Sequence, residues 1–205
     1  MELFSFLELS SYAGLLATGV LTLNLLLGMM LSTGYTKHAY WKRLPDGIKK
    51  WDLLTIHNWT AYIALLLVLL HPLLLLFDSS TKFTVINVLF PLNAPHEKLM
   101  VAFGTISMYA LLVVIITTQK VIKRSIKFRT WKNIHLISYG TALLFLIHGM
   151  IIDPQLKDRP LDLVDAEKMV SEGCLLLIIV ASIIRFRYYL KNKRNKLMMQ
   201  PKESF

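Results

Sequence analysis

The stretch LTIHNWTAYIALLLVLLHPLLLLF, residues 54–77, decides the fold. It runs without a single Lys, Arg, Asp or Glu, and a helix needs about 20 apolar residues to cross about 30 Å of hydrocarbon. Two histidines, His57 and His71, interrupt it 14 residues apart. An ionisable side chain inside hydrocarbon is costly enough to count as a functional hypothesis by default. The segment therefore reads as a spanning helix that carries polar chemistry.

Four more candidate spans flank it, near residues 11–31, 99–119, 133–152 and 170–190. The whole chain, 205 residues with 55% hydrophobic content and mean hydropathy +0.51, then reads as one all-α membrane domain over residues 1–205. The first span follows Met1-Glu2-Leu3, with no basic region and no small-residue cleavage signal, so it is expected to be retained rather than removed as a signal peptide. The fifth has a short uncharged core from Gly173 to Ile184 and continues into Arg185, Arg187, Tyr188 and Tyr189, which suit the headgroup level.

The formal net charge of +10 does not form the basic stripe of a nucleic-acid binder, so no nucleic-acid partner is expected. Its bases lie between the apolar runs, where Lys and Arg are retained on the cytoplasmic side. Lys37, Lys42, Arg43, Lys49 and Lys50 fill the first loop. Lys120, Lys123, Arg124, Lys127, Arg129 and Lys132 fill the third, and Lys191, Lys193, Arg194 and Lys196 the tail. The N-terminal segment has no Lys or Arg, the 78–98 loop has only Lys82 and Lys98, and the 153–168 loop offsets three bases with five acids. Five spans with the N-terminus outside and the C-terminus inside satisfy every loop. The lone Cys174 excludes an intramolecular disulfide framework and covalent c-type haem attachment, and reads as a small buried hydrophobe.

Of the six histidines, His57 and His71 lie in the second span and His135 and His148 in the fourth. Each alone is as readily a neutral imidazole bonded to a neighbouring helix as a ligand. Together they form two levels. The second and fourth spans run in the same direction, and if Trp51 and Trp131 mark the inner interface, His57 lies about 9 Å and His135 about 6 Å inside it. His71 and His148 lie about 30 Å and about 26 Å in, so the two pairs are separated by about 20 Å. That is the arrangement two stacked b-type haems need, one histidine on each side of each iron. The 14-residue step returns His71 to within about 40° of His57, whereas the 13-residue step leaves His148 about 140° from His135. Tightening or bending near Gly140, or approach from different sides, is therefore expected in the fourth helix. His38 and His96 fall in loops and read as solvated, with His96 near the outer level. Arg129 and Lys132 stand where the propionates of an inner haem would emerge, although topology alone also accounts for them. Gly104, Ser107, Gly140 and Ala142 leave room for a porphyrin or for ordinary helix packing.

Ile56-His57-Asn58-Trp59-Thr60-Ala61-Tyr62, Leu70-His71-Pro72-Leu73, the run Gly104 to Thr118, Trp131-Lys132-Asn133-Ile134-His135, Tyr139 and Ile147-His148 together resemble the ferric reductase-like transmembrane domain, over about residues 10–190. That superfamily includes ferric-chelate reductases, NADPH oxidases and the haem-bearing membrane subunit of the bacterial periplasmic methionine sulfoxide reductase. The resemblance implies two haem b groups, with His57 and His135 as inner iron ligands and His71 and His148 as outer ones, and the 13-residue spacing is itself a family feature. The usual core has six helices, one more than the five read here.

No flavin and nicotinamide domain is expected in the short tail. The resemblance therefore implies a membrane electron conduit similar in size to the methionine sulfoxide reductase subunit, and a multi-pass location in a bacterial cytoplasmic membrane. Its donor is a cytoplasmic flavin reductase, with FMN or FAD supplied at the inner face, or quinol. Its acceptor is an extracytoplasmic protein or metal chelate. A quinol-linked cytochrome b anchor of a separate oxidoreductase uses the same ligands and stays open. A haem-free transporter or scaffold is the third reading.

Overall fold

The structure, a computed structural model, describes residues 5–37, 39–151 and 166–198. Its helices are α1 (Phe6–Thr33), α2 (Ala39–Lys42), α3 (Asp46–Lys49), α4 (Leu53–Leu75), α5 (Val85–Leu89), α6 (Lys98–Thr118), α7 (Lys120–Ser125), α8 (Phe128–Ile151) and α9 (Ala166–Met198), with 3₁₀ turns at Tyr35–Lys37 and Pro91–Asn93. No strand occurs among the described residues. Five helices are long and apolar enough to cross a bilayer, namely α1, α4, α6, α8 and the Met169–Arg194 part of α9. The chain is thus an all-α, multi-pass membrane bundle, as its hydropathy indicates. The acidic 153–168 loop and His38 lie outside the described residues, apart from the backbone of α9's first turn.

Local chemistry explains why the helices overrun the apolar cores. Ser5 and Glu8 form a capping box, the Ser5 hydroxyl accepting the Glu8 N–H and the Glu8 carboxylate accepting the Ser5 N–H, so α1 starts ahead of residue 11. Gly34 ends α1 with φ at +67°, a left-handed cap that a residue with a Cβ adopts only under strain. Asp52 caps α4 by accepting the Leu54 N–H.

The bundle is built from two closely packed pairs, α1 on α4 and α6 on α8. α9 leans mainly on α1 and exposes Leu176, Leu177, Ile184 and Phe186. Tyr188 donates to the Thr33 carbonyl, which sets the end of α9 beside the end of α1. The core lies midway along the helices, where Ala17, Leu21, Ala64, Val68, Met108, Leu111, Ile115 and Phe145 are buried together. The two histidine-bearing helices, α4 and α8, scarcely come within 8 Å of each other at their Cα atoms.

One feature differs from expectation. The α-helical ladder of α8 runs without interruption from Phe128 to Ile151, so its 13-residue step is not absorbed by a 3₁₀ or π turn at Gly140. The rings instead have different backings, because His148 is anchored on α6 and His135 is not. Trp131, at the start of α8, stacks on His135.

Candidate functional site

The structure brings the four histidines into two pairs. His57 and His135 have ring centres 6.1 Å apart at 72°, and His71 and His148 have theirs 6.0 Å apart at 84°. The α4 step between the pairs is 14 residues, or about 21 Å along the helix.

Each α4 histidine is fixed by α1 in the same manner. His57 Nδ1–H donates to the Asn24 carbonyl at 3.0 Å, while the Asn24 side-chain amide donates back to the His57 carbonyl at 2.5 Å and to Thr60 Oγ1 at 2.9 Å. His71 Nδ1–H donates to the Ser10 carbonyl at 2.8 Å, and the Ser10 hydroxyl donates to the His71 carbonyl at 2.8 Å. On α8, His148 Nδ1–H donates to the Met100 carbonyl of α6 at 2.8 Å. A carbonyl only accepts, so the proton of these three rings sits on Nδ1 and the lone pair on Nε2.

Glycines make these approaches possible. A Cβ on Gly14 would stand 3.2 Å from His71 Nδ1, one on Gly28 would stand 3.2 Å from His57 Cε1, and one on Gly104 would stand 2.7 Å from His148 Cε1. The acceptor carbonyl comes four residues before the glycine each time: Ser10 and Gly14, Asn24 and Gly28, Met100 and Gly104. Neither Ser10, Asn24 and Met100 nor the roles of Gly14 and Gly28 were read from the sequence. The signal was present, since the 14-residue step from Ser10 to Asn24 and from Gly14 to Gly28 equals that from His57 to His71. Of the small residues expected to leave room, Gly104 backs a histidine, Ser107 and Ala142 are buried, and Gly140 has nothing within 4 Å of its Cβ position.

A cavity of about 430 Å³ opens at the outer pair, lined by His71, His148, Gly14, Gly104, Phe145 and His96 among others. His96 thus does reach the outer level. Arg129 and Lys132 are exposed in the first turns of α8 and have no hydrogen bond or ion pair among the described residues. Lys123 Nζ lies 4.1 Å from the centre of the Trp131 ring that stacks on His135.

These residues fit haem. With metal–imidazole bonds of about 2 Å and each ring centre about 1 Å behind its nitrogen, two imidazoles on opposite faces of one iron have centres about 6 Å apart. Both pairs have that separation. The second-nitrogen hydrogen bonds are those that orient a ligating histidine. No cluster of three or more His, Cys, Asp or Glu occurs among the described residues, so neither pair is joined by the further donors of a closed zinc site.

Residues 13–146 match the family described as ferric reductase like transmembrane component, a span from α1 to the last turns of α8 that takes in His57, His71 and His135 and ends just before His148. Searches of curated proteins and of solved structures returned no match.

Proposed function

The chain belongs to the ferric reductase-like transmembrane family, and we propose that it conducts electrons across the membrane through two b-type haems, each held between α4 and α8. His57 and His135 are the inner ligands, and His71 and His148 the outer ones. One observation carries this reading above the rest: both pairs are spaced for one iron between two imidazoles, across helices that otherwise stand apart. Held between these residues, haem would supply reversible one-electron chemistry.

The chain's own part is to hold and to insulate. Ser10, Asn24 and Met100 keep the Nδ1 proton on three rings through their carbonyls and so present Nε2 to the metal. Ala64, Val68, Met108 and Phe145 fill the layer between the two levels and keep water from it. At the inner end Lys120, Lys123, Arg124, Lys127, Arg129 and Lys132 are all exposed. With the N-terminus outside, this basic surface faces the cytoplasm and suits an acidic flavoprotein or a reduced anionic flavin, since complementary charge speeds encounter. Arg129 and Lys132, exposed in the first turns of α8 ahead of His135, would also meet the propionates of an inner haem.

Electrons enter inside and leave to an extracytoplasmic protein or metal chelate, in a bacterial cytoplasmic membrane. In inside-out vesicles, a flavin reductase with NAD(P)H should reduce both haems, and added salt should slow the reduction by screening. Reduction that requires quinol and ignores the flavin system would contradict this direction of supply.

A further inference from the structure

Three of the four membrane histidines share one mounting, and His135 lacks it. His57, His71 and His148 each give the Nδ1 proton to a carbonyl of a neighbouring helix and lie against a glycine. His135 Nδ1 is buried with no hydrogen-bond partner, and none of the described glycines lies against its ring. Fourteen residues beyond Gly104, the interval that relates Gly14 to Gly28, stands Thr118, and α6 ends there. Thr118 is β-branched, and its hydroxyl donates to the Ile115 carbonyl at 2.7 Å.

What touches His135 is Trp131, one turn earlier on α8. The two rings stack with centres 5.3 Å apart and planes 19° from parallel. The indole is itself fixed, by the Phe128 ring at 5.6 Å and by Lys123 Nζ at 4.1 Å from its centre. Trp131 Nε1 is also buried without a partner, so no hydrogen bond holds the indole in this place.

We propose that Trp131 is the positioning residue of His135, its stacked indole setting the imidazole plane that a carbonyl sets for each of the other three ligands. The proposal rests on the haem reading above. A hydrogen bond from the second nitrogen raises the basicity of a ligating imidazole. Without one, His135 is the weakest donor of the four, and the inner site is asymmetric in a way that the outer site is not. The orientation of its ring then depends on aromatic overlap, which a flat side chain at position 131 preserves and an aliphatic one does not.

The test uses the full chain, purified with haem, carrying Trp131→Phe or Trp131→Leu. Its readouts are the low-spin ferric electron paramagnetic resonance of each haem and the midpoint potential of each, with the inner signal identified as the one abolished in His57→Ala. Trp131→Phe should reproduce the unsubstituted inner signal. Trp131→Leu should shift the inner g-values and potential and weaken inner haem retention by a few-fold to about tenfold, with the outer signal unchanged. Unchanged inner signals in Trp131→Leu would overturn the proposal, as would a Trp131→Phe variant disturbed as much as Trp131→Leu, or equal loss of both haems. Unsubstituted protein that binds no haem would refute the haem reading itself and is thereby told apart from these outcomes.

Discussion

Gly104→Ala should empty the outer haem site while leaving the inner one filled. The new Cβ would stand 2.7 Å from His148 Cε1, 2.8 Å from Nδ1 and 3.0 Å from Nε2, whereas carbon atoms are comfortable at about 3.5–4.0 Å. The ring must therefore retreat by about 1 Å. The bond from Nδ1 to the Met100 carbonyl, now 2.8 Å, cannot survive a retreat of that size away from α6. Overpacking of this kind costs about 1–3 kcal/mol, and loss of the bond that orients a ligating histidine weakens the site about 10–100-fold. The two estimates agree, since about 1.4 kcal/mol is tenfold. Gly14→Ala and Gly28→Ala, with nearest approaches of 3.2 Å, should be milder at the outer and inner sites respectively. Gly140→Ala, with nothing within 4 Å, should leave haem content unchanged and stabilise α8 by up to about 1 kcal/mol. Haem per chain, counted from the reduced spectrum of each purified variant, checks the series. Full occupancy of both sites in Gly104→Ala, or equal loss in Gly104→Ala and Gly140→Ala, would refute the close-approach reasoning.

Replacement of His57 or His135 by Ala should remove one and the same haem, and replacement of His71 or His148 the other, as spectra of the four variants would show. Matching losses in His57→Ala and His148→Ala would break the pairing by depth. Asn24→Ala keeps the carbonyl that takes the His57 proton but removes the amide that donates to the His57 carbonyl and to Thr60. It should cost about 1 kcal/mol in a thermal melt with both haems still bound. The Ser80 hydroxyl, followed by the backbone N–H groups of Ser80, Leu7 and Thr81, holds the Asp78 carboxyl below its ordinary value. A carboxyl depressed in the folded state stabilises above its ordinary value near about 3.9, and that contribution fades as pH falls through the lower folded value. Melting in detergent should accordingly lose stability on acidification below about pH 4, and Asp78→Asn should flatten that limb.

The bundle and its four histidines were legible because hydrophobic length and an ionisable residue within it are properties of composition, readable without any contact. The level pairing followed from rise per residue and from loop charge. The part played by α1 was hidden, because every residue offers a carbonyl, and glycines are frequent in membrane helices for ordinary packing. Only the repeated 14-residue interval from Ser10 and Gly14 to Asn24 and Gly28 distinguished them, and it becomes meaningful only against His57 and His71. The stack of Trp131 on His135 was hidden for a related reason. A tryptophan near a span end usually belongs to the interface, and nothing in its own neighbourhood of sequence shows that the ring turns inward onto His135. The 13-residue step on an ideal helical wheel called for tightening or bending near Gly140, or for approach of the two α8 histidines from different sides. No tightening occurs, since α8 keeps α-helical hydrogen bonding through Gly140.

The measurement that tests the account most directly is the haem content of the purified full chain, expressed with haem supplied and read by reduced-minus-oxidised absorption together with ferric electron paramagnetic resonance. Two low-spin b-type haems per chain, with two distinguishable bis-histidine signals, are the predicted result. A chain that folds and inserts but binds no haem, or that holds a single high-spin haem with an open axial position, would contradict it.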